Sequence, residues 1–238
     1  MTMCTQRTNS FIRRWTRLML GAAVASGCAR TATVPPAETR QEPRHHEEHR
    51  FEDADRWAKV FESSERDAWQ KPDHVLDALA LPPEGKVADI GAATGYFAIR
   101  FARAVPQGVV YGVDIEPDMV RYLKDRAESE GLANLHSILC APDDPRLPEP
   151  VDLIFICNTY HHIQDRPAYF ARLKRSLRPG GRLVVVDFKE GKLPVGPPPE
   201  HKLAASTVLE ELAAAGYELS GRDEGLPYQY CLTFRPLP

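Results

Sequence analysis

Cysteine is scarce in this sequence, and its spacing excludes several kinds of site. The 238 residues contain five cysteines, and no two of them stand in the Cys-x-x-Cys spacing of a redox motif or a zinc site. We therefore expect no metal centre. Cys140, Cys157 and Cys231 are interpreted as small apolar residues of a core.

An excess of positive charge and a long hydrophobic run are also missing. The chain has 30 Lys and Arg against 33 Asp and Glu, a formal net charge of −3. Without a basic field, the sequence gives no reason to expect a nucleic-acid partner. The apolar run of residues 18–25 is too short for a transmembrane helix, which needs about 20 apolar residues.

Residues 1–27 resemble a bacterial lipoprotein signal peptide. Arginines without an acidic residue precede the apolar run of residues 18–25, and small residues stand before Cys28. The stretch Ala25-Ser-Gly-Cys28 is similar to a lipoprotein box, which implies a lipid at Cys28 and an exported protein anchored to a membrane. The alternatives are a disordered basic N-terminus, or a cytoplasmic enzyme whose start site is mis-assigned.

Residues 28–50 are polar, with prolines and a charge cluster that has no apolar partner, and we interpret them as a disordered linker. A regular alternation of strands and helices follows over residues 51–238, with N-terminal lid helices within residues 51–81. Strands are predicted at 86–90, 109–113, 135–139, 151–156, 182–186, 217–220 and 228–234, and helices at 51–61, 72–80, 94–105, 117–129, 166–177 and 203–215. Near-continuous apolar strands between helices predict an α/β fold with a parallel sheet covered on both faces.

A glycine-containing loop joins the first strand to the next helix. It carries Asp89, Gly91, Ala93 and Gly95, and the small residues allow a ligand to approach the backbone. The order G-x-A-x-G differs from the G-x-G-x-x-G of dinucleotide-binding proteins, and an acid just before the first glycine would repel a pyrophosphate. The same acid attracts an ammonium group, and the helix N-terminus favours a carboxylate. This combination suits the amino-acid end of S-adenosylmethionine.

A second acid, Asp114, stands at the end of the second predicted strand, about twenty residues beyond the loop. At that position its carboxylate can accept hydrogen bonds from both ribose hydroxyls. Ile115 and Met119 follow it and can flank an adenine. The alternative is that Asp89 and Asp114 are helix-capping or surface acids.

Together these segments resemble the class I S-adenosylmethionine-dependent methyltransferases. The resemblance spans residues 51–238, and it rests on Asp89-x-Gly-x-x-x-Gly95, Val113-Asp114, Val151-Asp-Leu-Ile154 and Leu177-Arg-Pro-Gly-Gly-Arg-Leu183. It implies a Rossmann-like, mostly parallel sheet of seven strands whose last strand is antiparallel. It also implies S-adenosylmethionine as cofactor and a small-molecule methyl acceptor.

Further cofactor contacts follow from this resemblance. Tyr96 belongs to the first motif. Many relatives carry an acid near the adenine immediately after position 140; this chain lacks it, and Asp143 is predicted to make the contact with the adenine amino group instead. Ala93 replaces the usual middle glycine, and we expect the alanine to be tolerated with a negative φ.

The methyl acceptor is expected at the carboxyl end of the fourth strand, where Cys157-Asn-Thr-Tyr-His-His162 follows. Asn158, also counted as a cofactor contact, can accept a hydrogen bond from an amine through its side-chain carbonyl. His161 or His162 can act as general base for a hydroxyl or thiol, with a slight preference for His161. The alternative is that both histidines have only structural roles.

Candidate acceptor contacts are Tyr160, Trp69 in the N-terminal lid, and His201 after the fifth strand. Two other functions are alternatives. A nicotinamide-dependent oxidoreductase is disfavoured by the loop spacing and by the lack of a Tyr-x-x-x-Lys pair. A lipid-anchored, non-catalytic ligand-binding protein with the same fold stays open, and so does the oligomeric state.

Overall fold

The protein is described by a computed structural model that covers residues 53–238. The predicted signal peptide, Cys28 and the linker up to residue 50 lie outside the described residues. Within residues 53–238, no helix combines the length and the apolar character needed to cross a membrane.

Seven α-helices and seven β-strands make up the described part. The helices are α1 (Ala54–Phe61), α2 (Ser64–Gln70), α3 (Pro72–Leu79), α4 (Ala98–Ala104), α5 (Pro117–Ser129), α6 (Arg166–Leu173) and α7 (Ala205–Ala214). The strands are β1 (Lys86–Ile90), β2 (Val109–Asp114), β3 (Leu135–Leu139), β4 (Val151–Cys157), β5 (Leu177–Phe188), β6 (Tyr217–Asp223) and β7 (Gln229–Pro236). Short 3-10 turns lie at Tyr160–His162, Lys174–Ser176 and Pro199–His201.

The strands form one sheet in the order β3-β2-β1-β4-β5-β7-β6. The pairs from β3 to β5 are parallel, whereas β7 runs antiparallel to both β5 and β6. This confirms the predicted Rossmann-like sheet with an antiparallel last strand.

The sheet order places a crevice between β1 and β4. The chain builds β2 and β3 on one side of β1 and then returns to its other side with β4, so the connections leave in opposite directions. In the register, Asp89 lies opposite Phe155 and Ile90 opposite Ile156. Ligands of open α/β sheets bind outside the carboxyl ends of the strands at such a reversal.

Side chains of the central strands alternate between two cores, one on each face of the sheet. On β4, Leu153 and Phe155 join the core under the N-terminal helices and α4, while Ile154 and Ile156 join the core under α6 and α7. All four side chains are buried. A strand buried on both faces is apolar throughout, which is why these strands read as continuous apolar runs in the sequence.

Some element boundaries differ from the predictions. The helix after β1 begins at Ala98, not at residue 94, because Gly91, Ala93 and Gly95 all have positive φ and cannot continue a helix. A short helix, α2, was not predicted, since its sequence SERDAWQ has too few apolar residues for a periodic stripe. Strand β5 begins at Leu177, five residues earlier than predicted, and a register shift interrupts its pairing with β4.

Candidate active site

The backbone of the loop between β1 and α4 packs closely against neighbouring side chains. Gly91 has φ +77° and Gly95 has φ +97°, in the left-handed region that favours glycine. A Cβ atom at Gly91 would overlap the side chain of Thr159, and one at Gly95 would overlap Leu123 Cδ1. Both positions therefore require glycine for conformation and for space.

Ala93 adopts the same left-handed conformation, with φ +47°. The expectation that its φ stays negative was wrong. An L-residue with a Cβ is strained in this region by roughly 1–2 kcal/mol. The loop keeps this conformation because the backbone N–H of Ala93 donates to Asp114 Oδ2 at 2.8 Å.

Asp89, near the end of β1, is a buried carboxyl group. Asp89 is only 3% exposed. Among residues 53–238, no Lys, Arg or His side chain forms an ion pair with its carboxylate. Burial raises the pKa of Asp89 to about 7, although the nearby charge of Arg66 and a hydrogen bond from the Ala98 N–H oppose the shift. A buried acid without a counterion favours a cationic ligand group.

Asp114, at the end of β2, connects its own strand to the glycine-containing loop. Oδ2 accepts from the Ala93 N–H, and Oδ1 accepts from the Glu116 N–H at 3.0 Å. Burial raises the pKa of Asp114, and these backbone donors lower it. Of the two residues predicted to flank an adenine, Ile115 is 49% exposed and Met119 is buried.

The N-terminal helices are fastened to the cofactor side of the sheet by polar contacts. The Ala54 N–H donates to Asp118 Oδ2 at 2.6 Å. Glu62 accepts from the Thr94 hydroxyl at 2.7 Å and from Arg126 Nη1 at 2.8 Å. Thr94 belongs to the glycine-containing loop, so the predicted lid touches the loop directly.

On the acceptor side, His161 and Asp187 form a pair. His161 lies in the 3-10 turn after β4 and Asp187 near the end of β5, and His161 Nδ1 is 2.8 Å from Asp187 Oδ2. The side chains are 9% and 1% exposed. His162, the second candidate base, is exposed, and its ring contacts that of His161 with centroids 4.2 Å apart and planes tilted by 41°.

A chain of side-chain amides joins the lid to the end of β4. Gln70 Nε2 donates to Gln229 Oε1, and Gln229 Nε2 donates to Asn158 Oδ1, each at 2.5 Å. The carbonyl of Asn158 thus already accepts one hydrogen bond, from Gln229, and the prediction that it also accepts from an amine stays a prediction. The amide nitrogen of Asn158 can also face a ligand, and this nitrogen donates.

The three predicted acceptor contacts lie in different places. Tyr160 lies in the core and not in the crevice: its ring stacks on Phe170, and its hydroxyl donates to Glu211 at 2.8 Å. Trp69 contacts Phe188 at the end of β5, with ring centroids 5.7 Å apart. His201 is exposed on the 3-10 turn after β5.

Two predicted cofactor contacts also differ in surroundings. The Tyr96 hydroxyl donates to Asp67 on α2, so the side chain is held by the lid. Asp143 is exposed in the loop after β3, where its backbone carbonyl accepts from Arg172 at 3.4 Å.

Comparison with known proteins assigns the chain to a family. The family described as "Methyltransferase domain" matches residues 82–220, which is more than half of the chain. The chain belongs to the methyltransferase-domain family. Its matched part begins just before β1 and ends within β6.

Individual relatives agree with this. The ubiquinone/menaquinone biosynthesis C-methyltransferase UbiE of Burkholderia mallei is 34% identical over 112 residues, which are 45% of this chain and 45% of that protein. The match thus spans less than half the length of that curated relative. A SAM-dependent methyltransferase from Aquifex aeolicus is 26% identical, with a TM-score of 0.71 over 76% of this chain and 97% of that one. A TehB-like SAM-dependent methyltransferase from Corynebacterium glutamicum shares the fold at 18% identity, with a TM-score of 0.58 over 77% and 97% of the chains.

Family and fold imply S-adenosylmethionine as the cofactor, and the residues of this methyltransferase domain fit it. Gly91 and Gly95 give the loop its left-handed backbone turns between the ends of β1 and α4, and Asp89 is a buried acid suited to an ammonium group. Asp114 ends the neighbouring strand, where an acid can accept from ribose hydroxyls. The family and the fold thus favour S-adenosylmethionine over the nicotinamide cofactor of the alternative function.

The sequence interpretation missed Asp187, Gln70 and Gln229. Asp187 follows Val184-Val-Val186, so an acid at the end of a buried strand, the signal that identified Asp89 and Asp114, was present for it too. The two glutamines had no comparable signal, because they meet only in the folded chain, 159 residues apart in sequence.

Proposed function

We propose that this protein transfers a methyl group from S-adenosylmethionine to a small hydroxylated molecule, with His161 as the general base. The observation that carries the proposal is the buried pair of His161 and Asp187 at the carboxyl ends of β4 and β5. This is the place where an acceptor enters the crevice of an open α/β sheet.

The pair determines which ring nitrogen can act. A carboxylate only accepts hydrogen bonds, so Asp187 fixes the proton of the neutral imidazole on Nδ1. Nε2 then carries the lone pair and can take a proton from an acceptor. Asp187 is itself held by the Phe188 N–H, which donates to Oδ1 at 2.8 Å. Such orientation of a base by a buried carboxylate also stabilises the imidazolium that forms.

The amide chain supports an oxygen acceptor over an amine. Gln229 holds the Asn158 amide through Oδ1, and the amide nitrogen of Asn158 carries N–H donors. An N–H donor pairs with a hydroxyl or phenolate oxygen, which keeps a further lone pair for the methyl group, whereas a neutral amine needs its one lone pair for the methyl group. The acceptor class that fits both His161 and Asn158 is therefore a hydroxyl compound.

When bound, S-adenosylmethionine supplies an electrophilic methyl group on its sulfonium. Asp89 and Asp114 would hold its ammonium group and its ribose, and the backbone of the loop from Gly91 to Gly95 would lie against it. His161 removes the acceptor proton, and the chain aligns the acceptor for in-line attack.

A phenol is the acceptor we would test first. A phenolate carries negative charge on its oxygen and on its ortho ring carbons, so one base serves O- and C-methylation alike. The relative from Burkholderia mallei is named a C-methyltransferase of ubiquinone/menaquinone biosynthesis, and its quinone-related chemistry is consistent with this class.

The test has two steps. Calorimetric titration of the full chain with S-adenosylmethionine establishes whether the cofactor binds. Transfer of a radiolabelled methyl group to a panel of phenols, quinols, thiols and primary amines then identifies the acceptor class. Binding with transfer to phenols or quinols supports the proposal. Binding without transfer to any member of the panel favours the non-catalytic binding protein, and absence of binding overturns the assignment.

We also propose that the chain is exported and anchored through Cys28, on the lipoprotein-like stretch Ala25-Ser-Gly-Cys28. Growth with radiolabelled palmitate followed by membrane fractionation tests this, with Cys28→Ala as the control. Label and membrane association that both disappear in the variant support a lipid anchor. An unlabelled protein in the cytosolic fraction contradicts it and favours the mis-assigned start site.

A further inference from the structure

The side chain of Arg66, on α2, lies over the ring of Tyr96, the residue that follows the glycine-containing loop. Its guanidinium carbon lies 3.7 Å from the centroid of the Tyr96 ring, and Tyr96 directly follows Gly95. Nη1 donates to the Phe61 carbonyl at 2.9 Å, and Nε donates to Gln70 Oε1 at 3.4 Å. These contacts fix the position of the guanidinium between α2 and Tyr96.

The charge of Arg66 has no acidic partner in the described part of the chain. A guanidinium has five N–H donors, and the two contacts with Phe61 and Gln70 use only part of them. Arg100 provides the comparison within the same cluster. Its guanidinium also lies over Tyr96, at 4.1 Å, but it pairs with Asp67 at 3.1 Å and donates to the Tyr96 carbonyl.

The field of Arg66 reaches the ends of two central strands. Its charge lowers the pKa of Asp89 at the end of β1 and that of Cys157 at the end of β4, against the larger effect of burial. A charge that acts on both groups lies near the crevice between β1 and β4. Arg66 and Asp89 thus bring one positive and one negative group to the same end of the crevice.

These two groups match the two ends of an amino-acid zwitterion. Resting on the proposed function, we propose that Arg66 binds the carboxylate of the methionine part of S-adenosylmethionine while Asp89 faces its ammonium group. A guanidinium is well suited to this role, since its planar N–H groups match a carboxylate in a two-point contact.

Calorimetric titration with two ligands separates this role from a structural one. S-adenosylmethionine carries the carboxylate, and decarboxylated S-adenosylmethionine keeps the sulfonium and the amine without it. We expect Arg66→Ala to weaken binding of S-adenosylmethionine about 10- to 100-fold, as for the loss of a charge-assisted hydrogen-bonded pair. Binding of the decarboxylated compound should change less than threefold, so the preference for the carboxylate disappears.

Two further variants are matched controls. Arg100→Ala removes the other guanidinium over Tyr96 and should keep the preference for the carboxylate. Arg66→Lys retains a positive charge and should keep part of the preference for the carboxylate. If Arg66→Ala folds poorly, the reduced preference of Arg66→Lys still tests the role of Arg66.

Three outcomes would overturn the inference or its basis. Unchanged affinity of Arg66→Ala for S-adenosylmethionine, or an equal loss for both ligands, overturns the role of Arg66 alone. Failure of the wild-type chain to bind S-adenosylmethionine overturns the proposed function itself.

Discussion

The cofactor half and the acceptor half of the crevice are built in opposite ways. In the cofactor half, Asp89 has no ion-pair partner among the described residues, and Asp114 is held by backbone N–H groups. In the acceptor half, His161 pairs with Asp187, and Asn158 accepts from Gln229. One half keeps an unpaired charge, while the other consists of side chains that are already paired.

This difference suits the role proposed for each half. A cationic ligand group stabilises a buried carboxylate that the protein itself leaves without a partner, so the cost of burying the acid is offset on binding. A general base has to hold one orientation through the reaction, and a fixed partner provides it.

Loss of the proposed base, His161, should have the largest effect. We expect His161→Ala to lower kcat by about 10²- to 10⁴-fold, the usual contribution of a positioned general base. The affinity for S-adenosylmethionine should change little, because the substitution leaves Asp89 and Asp114 in place. Methyl-transfer kinetics and calorimetry measure the two effects.

His162→Ala is the matched control, because His162 is adjacent but exposed. It should lower kcat far less than His161→Ala, because the bond to Asp187 is made by His161 Nδ1 and stays in place. An equal loss of kcat in both variants, or a loss of cofactor affinity in His161→Ala alone, would remove the division into two halves.

A methyl group at Gly91 should destabilise the cofactor loop. Gly91→Ala introduces left-handed strain of roughly 1–2 kcal/mol and an overlap with Thr159, which costs typically 1–3 kcal/mol. We expect the free energy of unfolding to fall by about 3 kcal/mol in urea denaturation. Thr159→Gly in the same background should recover the part that is due to the overlap. A stability unchanged by Gly91→Ala would mean that the loop is not held against the turn after β4.

The unpaired acid of the cofactor half should make binding depend on pH. Burial raises the pKa of Asp89 to about 7 in the folded protein, above its usual value near 3.8. The folded state therefore binds more protons than the unfolded state between these values, and stability falls as the pH rises through this range. Since an ammonium group favours the carboxylate, affinity for S-adenosylmethionine should rise up to about tenfold per pH unit between pH 5 and 7.

Calorimetry in buffers of different ionisation enthalpy measures the proton released on binding at pH 6. Asp89→Asn should abolish the release and flatten the dependence of stability on pH. Proton release that persists in this variant would assign the titration to another group, with Asp114 the first to examine.

The smallest expected effect is a gain in stability at Ala93. Since φ is +47°, Ala93→Gly relieves the left-handed strain, and the greater entropy of the unfolded glycine offsets part of that gain. We expect the free energy of unfolding to rise by about 0.5–1 kcal/mol, seen as a higher urea midpoint. Ala92→Gly, whose φ is not positive, should be destabilising. A loss of stability in Ala93→Gly would mean that the Ala93 methyl group contributes packing that outweighs the strain.

Much of the fold could be predicted because its signals are local. The strands β1, β2, β3 and β4 and the helix α5 lie within one residue of their predicted bounds, since apolar runs and Pro117 define them within a few residues. The start of α4 could not be predicted in this way, because the φ angles of the loop delay the helix to Ala98. The start of β5 was missed because its first residues include Pro179 and two glycines, which are typical of turns.

Local sequence signals are enough to predict the residues of the cofactor half. Asp89, the glycine-containing loop and Asp114 lie within 26 consecutive residues, so strand periodicity and glycine spacing place them without knowledge of the rest of the chain. The contacts of the acceptor half and of the lid arise only in the folded chain. His161 meets Asp187 across 26 positions, Asn158 meets Gln229 across 71, and Gln70 meets Gln229 across 159. Such pairs depend on the register of separate strands and on the docking of α2, and no local pattern encodes either. The same packing turned Tyr160 into the core and placed Arg66 over Tyr96.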